Sequence, residues 1–201
     1  MRNPAPSPRS QRRIIIADDE SLIRLDLREM LISLEYDVIA EVGDGRTAVD
    51  LAKKLRPDLV IMDIKMPEVD GIAAAEVLTR EKIAPVVLLT AYSDQALVER
   101  AKEAGVVGYV VKPFREAELM PVIEVAMARF DEFMSLEREL GSMKEALESR
   151  KVVERAKGIL MKERRMSEEA AYALLRKAAM NENRRISEVA QSVVTASRLL
   201  K

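Results

Sequence analysis

The sequence predicts a doubly wound α/β domain of (βα)5 type with a parallel sheet, followed by a helical linker and a three-helix all-α domain. Three observations carry this. Apolar runs of strand length recur five times between residues 13 and 113. Amphipathic stretches of helical period lie between them. From Arg115 onward the helical period continues and no further strand-like run appears.

The first strand-length run is Ile14–Ala17, and Val38–Val42, Leu59–Met62, Val86–Leu89 and Val106–Val111 follow. Their near-continuous apolarity marks strands covered on both faces, as in a parallel sheet between helical layers. The helices between them are Ser21–Leu34, Thr47–Leu55, Ile72–Thr79 and Gln95–Ala104. Turn signals stand at Asp44–Gly45, Arg56–Pro57–Asp58 and Asp70–Gly71, with Ser93 or Asp94 as a further helix cap. Strictly alternating strands and helices place helices on both faces of one sheet.

Residues 131–147 read as a helical linker. Phe133, Leu136, Leu140, Met143 and Leu147 recur at spacings of 3 and 4, with charged residues between them. This stripe suits a short coiled coil with a second chain, and equally a helix of the same chain. It falls short of the roughly 3–4 heptads that mark a coiled coil by pattern alone. Three helices follow within residues 148–201. The first covers Lys151–Arg164. The second follows Ser167, an N-cap with Glu168 and Glu169 behind it, and runs to Met180. The third runs from Ser187 to Leu199, and Asn181–Arg185 reads as the loop before it. Gly158 inside the first helix costs ~1 kcal/mol relative to Ala. It predicts a close backbone approach, to another helix or to a ligand.

Composition excludes several functions. The chain has no His and no Cys. That removes Ser-His and Cys-His catalytic pairs, Cys/His zinc sites and any phosphohistidine relay within the chain. No glycine-rich nucleotide phosphate loop is present. No apolar run approaches the ~18 residues of a membrane helix. Residues 1–12, with Pro4, Pro6 and Pro8, read as a disordered tail rather than a signal peptide. Together these point to the cytoplasm, with no membrane partner. Net charge is −1, but it is unevenly distributed: +3 over residues 1–12, −10 over 13–141 and +6 over 142–201. An acidic body thus precedes a basic module, and the two are expected to meet different partners.

In an open parallel sheet, ligands bind beyond the carboxyl ends of the strands. Asp18 and Asp19 follow the first strand, Asp63 the third, Thr90 the fourth and Lys112 the fifth. Clustered carboxylates repel unless something positive sits among them. A Mg²⁺ ion suits an all-oxygen donor set. Mg²⁺, an ammonium and a hydroxyl are the parts that stabilise a phosphoryl group in transfer. Asp63 at a strand tip is the natural nucleophile.

The segments Ile15-Ile16-Ala17-Asp18-Asp19-Glu20, Ile61-Met62-Asp63-Ile64-Lys65-Met66-Pro67, Leu88-Leu89-Thr90-Ala91 and Tyr109-Val110-Val111-Lys112-Pro113-Phe114 closely resemble response-regulator receiver domains. The resemblance covers residues 13–130 and implies a flavodoxin-like fold. It implies that Asp63 is the phosphoacceptor and a sensor histidine kinase the donor. Asp18 and Asp19 would organise Mg²⁺, with Asp19, Asp63 and the backbone carbonyl of Lys65 as direct ligands. Thr90 and Lys112 would hold phosphoryl oxygens, and Tyr109 would be the aromatic switch residue. The Lys112–Pro113 bond is expected to be cis. Lys65 and Tyr92 occupy positions that vary among receivers and bear on self-dephosphorylation. The resemblance implies no enzymatic activity beyond the protein's own phosphotransfer and dephosphorylation.

Ala156-Lys157-Gly158-Ile159-Leu160-Met161, Ser167-Glu168-Glu169-Ala170-Ala171-Tyr172-Ala173-Leu174-Leu175-Arg176, Ala179-Met180 and Val189-Ala190 resemble an ANTAR domain. That family binds paired RNA stem-loops in nascent transcripts and prevents terminator formation, acting as dimers or as units arranged for two loops, so a homodimer is one expectation here. The whole resembles phosphorylation-dependent antitermination regulators. Lys151, Arg155, Lys157, Lys162, Arg165, Arg176 and Arg184 are then the candidate RNA contacts, although charge of this kind also serves as an ordinary solvated face. Two other outputs fit three short helices: a DNA-binding helix-turn-helix or a protein-docking module.

Overall fold

The computed structural model describes residues 12–91 and 95–199. The tail over residues 1–11, the Ser93 or Asp94 cap and Tyr92 lie outside the described residues. The chain divides into two compact units between Met134 and Ser135.

The first unit contains β1 (Arg13–Ala17), α1 (Ser21–Ser33), β2 (Asp37–Val42), α2 (Gly45–Leu55), β3 (Leu59–Asp63), α3 (Gly71–Arg80), β4 (Val86–Thr90), α4 (Gln95–Glu103) and β5 (Gly108–Val111). Helix α5 (Glu116–Arg164) begins in this unit. The five strands form one sheet in the order β2-β1-β3-β4-β5, and every pairing is parallel. This is the flavodoxin-like doubly wound arrangement expected from the alternation of elements.

Both sheet faces are dry, which explains the continuous apolar strands. Ile15, Ala17, Val60, Met62, Val86 and Leu88 point to one face, against Ala48, Ala52, Ala74, Ala75 and Leu78 of α2 and α3. Ile14, Ile16, Leu59, Ile61, Val87 and Leu89 point to the other, against Leu27 and Leu31 of α1 and Leu119, Ile123 and Ala126 of α5. Alternate residues go to opposite faces because the strand period is two. Two helix starts are fixed by aspartate caps. Asp44 accepts from the Thr47 amide at 2.7 Å, and Asp70 accepts from the Ala73 amide at 2.7 Å.

Two details depart from expectation. Strand β5 begins at Gly108, not Val106. The Val106 amide instead donates to the Ala101 carbonyl at 3.0 Å and closes α4, with Gly105 in the left-handed region at φ 75°. That helix-ending motif uses the hydrogen bond a ladder would have needed. Arg12, counted with the tail in the sequence, is anchored by ion pairs to Asp58 at 3.9 Å and Asp131 at 3.6 Å.

The second unit contains the rest of α5, α6 (Glu168–Glu182) and α7 (Ile186–Leu199). Its core is Val153, Ala156 and Leu160 of α5, Ala171, Leu175 and Ala179 of α6, and Val189, Ala190 and Val194 of α7. Ser167 caps α6 by accepting from the Ala170 amide at 3.2 Å. Asn183 ends it in the left-handed region at φ 51°. The linker and the first C-terminal helix are one continuous helix of 49 residues. Within it, Phe133, Leu136, Leu140, Met143 and Leu147 remain 46–58% exposed, so the stripe enters the core of neither unit. Among the described residues no helix is long and apolar enough to cross a membrane.

Candidate functional site

Strand β3 delivers Asp63 to the carboxyl edge of the sheet, and β1 delivers Asp18 beside it. The pairing of Ala17 with Met62 fixes their relative height. Asp18 is fully buried and Asp63 is 6% exposed. Two buried carboxylates side by side need a cation, and Lys112 supplies it. Its Nζ lies 2.6 Å from Asp18 Oδ2 and 2.7 Å from Asp63 Oδ1. Burial works to lower the Lys112 pKa. The hydrogen bonds to Asp18 and Asp63, and their charges, outweigh it and leave the group above the ordinary lysine value.

The remaining carboxylate oxygens are also held. Asp18 Oδ1 accepts from the Glu20 amide at 2.9 Å. Asp63 Oδ2 accepts from the Lys65 amide at 2.7 Å. Lys112 begins the turn after β5. Its amide donates to the Thr90 carbonyl at 2.7 Å, and its bond to Pro113 is cis. Thr90 itself is buried at the tip of β4. Of the residues singled out in the sequence, the structure therefore joins Asp18, Asp63 and Lys112 directly, and Thr90 through the main chain. Asp19 is exposed next to Asp18. Tyr109 is 46% exposed on β5, with its ring outside the core.

Two supporting features were not read from the sequence. A Cβ on Gly71 would stand 2.0 Å from the Asp63 carbonyl oxygen, so only glycine lets the start of α3 pack against the site's backbone. In the sequence, Asp70–Gly71 signals only a turn. Arg24 donates from Nη1 to the Asp18 carbonyl at 2.6 Å. Nothing in a helical arginine's sequence context announces that.

Asp18, Asp19, Asp63 and Lys112 together carry a net charge of −2. Among the described residues no three carboxylates form a ready metal cage, and Lys112 bridges two of those at this site. The donor set is still all hard oxygen, and its charge matches a dication. The residues thus fit Mg²⁺.

In the second unit the candidate cations separate into two groups. Arg155, Lys162, Arg165 and Arg176 are exposed and make no ion pair among the described residues. Lys151 pairs with Glu148 at 2.8 Å, and Arg184 with Glu182 at 2.9 Å and Glu188 at 3.5 Å. Lys157, also among the candidate RNA contacts, is held differently. It is only 8% exposed and bonds Glu154 at 2.8 Å and Glu168 at 2.6 Å. The hydrogen bonds it donates to Glu154 and Glu168 raise its pKa. It ties α5 to α6 rather than offering a free charge. At Gly158 a Cβ would meet no atom of another element within 4 Å, so among the described residues no other helix approaches it, which leaves a ligand as the other expected neighbour.

Comparison with known proteins agrees with this geometry. The model of the response regulator receiver domain matches residues 14–124, and that of the ANTAR domain matches residues 141–194. The transcriptional regulatory protein PdtaR of Mycobacterium tuberculosis is 49% identical over 91% of this chain and 89% of its own length. The chemotaxis protein CheY of Thermotoga maritima is 35% identical over 56% of this chain and 94% of its own. Among solved structures, the receiver domain of a Pseudomonas aeruginosa sensor histidine kinase, with magnesium coordinated in its active-site cleft, superposes with a TM-score of 0.53. It is 30% identical and covers 58% of this chain and 98% of that one.

Proposed function

This chain belongs to the response regulators that join a receiver domain to an ANTAR domain, and from that premise we propose that phosphorylation of Asp63 by a sensor histidine kinase controls RNA binding by the helical module and, through it, transcription antitermination. In this reading the receiver spans residues 13–130, the linker 131–147 and the RNA-binding module 148–201. The protein works in the cytoplasm. The exposed Phe133–Leu147 stripe offers a surface for a homodimer.

The observation that carries the phosphorylation half is the clasp of Asp18 and Asp63 by Lys112. It supplies a carboxylate nucleophile, a cation and a charge deficit that suits a dication. An Asp63 oxygen attacks phosphorus, the O–P bond forms, and the donor's N–P bond breaks with its electron pair returning to the imidazole nitrogen. Asp18, Asp19, Asp63 and the Lys65 carbonyl would hold Mg²⁺, which when bound neutralises charge on the phosphoryl oxygens. Lys112 then trades its Asp63 contact for a phosphoryl oxygen, and the Thr90 hydroxyl donates to another. The new group adds about −1.5 to −2 charge. That biases an existing equilibrium in which Tyr109 moves from its exposed position inward.

The RNA half is supported by the family assignment, the +6 charge of residues 142–201 and the exposed cations Arg155, Lys162, Arg165 and Arg176, which make no ion pair among the described residues. The test is recovery of cellular RNA by the protein after treatment with an acyl-phosphate donor, sequenced against Asp63→Asn. Enrichment of paired stem-loops in the phosphorylated sample is expected. Equal recovery by both proteins removes the gating. Preference for duplex DNA in competition removes the RNA output in favour of a DNA-binding regulator.

A further inference from the structure

Resting on the RNA-binding reading, we propose that Gly158 is the floor of a site for the RNA sugar–phosphate backbone, flanked by Arg155 and Lys162 and closed by Arg165. Along α5, Lys151, Arg155, Gly158 and Lys162 follow one another at spacings of 4, 3 and 4. They lie within an arc of about 60° at ~100° per residue. Arg155 and Lys162 stand about 10.5 Å apart along the axis, with the glycine between them.

No feature of the fold explains this glycine. It is exposed. It lies in the interior of α5, away from either cap. Its φ is not in the left-handed region, and a Cβ would meet open space. A helix-interior glycine is disfavoured on propensity alone. Its remaining effect is to let an outside group approach the main chain between two cations. Arg165, at φ 50° just after the helix, adds an exposed guanidinium at that end.

Charge identifies the occupant. Arg155, Lys162 and Arg165 have no ion-pair partner among the described residues. Glu154 and Glu168, the nearby acids, are drawn off to Lys157. A second copy of this face would bring cation to cation, whereas a phosphodiester chain brings the complementary charge. Such contacts fix position and carry little sequence information. The site therefore supplies salt-dependent affinity, and specificity comes from elsewhere in the module.

The test uses full-length protein, with and without acyl-phosphate treatment, titrated with bulk transfer RNA by fluorescence anisotropy across a salt series. Gly158→Ala is compared with Gly141→Ala, a second exposed α5 glycine whose Cβ also meets open space. Both variants should melt at higher temperature than the parent. Gly158→Ala should weaken binding by about fivefold and Gly158→Leu by more than about tenfold, while Gly141→Ala leaves it unchanged. Combined Arg155→Ala and Lys162→Ala should reduce the slope of log affinity against log salt by about 1.5. Unchanged binding by Gly158→Ala, or an equal loss in Gly141→Ala, overturns the site while leaving RNA binding intact. No binding of transfer RNA by the parent protein at low salt, in either state, overturns both.

Discussion

The Lys112 ammonium lies 2.7 Å from an Asp63 carboxylate oxygen and, at the same time, 2.6 Å from Asp18. One cation thus holds the phosphoacceptor candidate and its neighbour together. Lys112→Ala should leave two buried carboxylates without it and lower the unfolding free energy by about 3 kcal/mol. Saturating Mg²⁺ should recover part of the loss. Urea denaturation with and without Mg²⁺ measures both, and an unchanged midpoint would refute the clasp.

Gly71→Ala tests the packing behind Asp63. A Cβ 2.0 Å from the Asp63 carbonyl oxygen and 2.9 Å from its carbon cannot be relieved by turning a side chain, because the obstacle is backbone. The expected loss is about 3 kcal/mol, in the overpacking range. Acyl-phosphate formation, followed by mass spectrometry, should slow as Asp63 shifts. Full stability with normal phosphorylation would show that α3 can move away freely.

The Asp44 cap gives a pH dependence of known sign. The Thr47 amide hydrogen bond holds the Asp44 pKa below the ordinary aspartate value. Its contribution is therefore present above the unfolded-state pKa and disappears as pH falls through the lower folded-state value. Asp44→Ala should cost about 1 kcal/mol at pH 7. The gap between variant and parent should close below about pH 4. A gap that stays constant with pH would assign the loss to packing.

Lys157 and Arg155 should exchange roles in two measurements. Lys157→Ala breaks the contacts with Glu154 and Glu168 and should lower the melting temperature of the helical unit. Arg155→Ala should barely move it. For affinity to transfer RNA the order should reverse. If Lys157→Ala proves the more damaging to binding without loss of stability, its pairing with the glutamates is not its main role.

Much of the fold was legible because strands β3 and β4 are covered on both faces and must be apolar throughout. The site was legible for a topological reason. Parallel strands bring Asp18, Asp63, Thr90 and Lys112 to one edge wherever they stand in the chain. Gly71 was not legible, because close approach to Asp63 is a tertiary fact and a glycine after an aspartate reads as a turn. The pairing of Lys157 was not legible, because a buried, paired lysine and a solvated one share the same helical context. The start of β5 was misplaced because the Val106 amide is spent on the end of α4, a contest between two local structures that apolarity cannot decide.

Helix α5 carries a consequence for dividing the chain. Leu119, Ile123 and Ala126 serve the core of the first unit, and Val153, Ala156 and Leu160 that of the second. The division after Met134 falls inside an unbroken helical ladder. Excising either half there leaves a raw helix end, with four amides on one fragment and four carbonyls on the other stripped of their partners. Each fragment then frays inward from its cut. Separate expression of the two halves would therefore understate the stability of each, unless a capping residue is engineered at the new terminus.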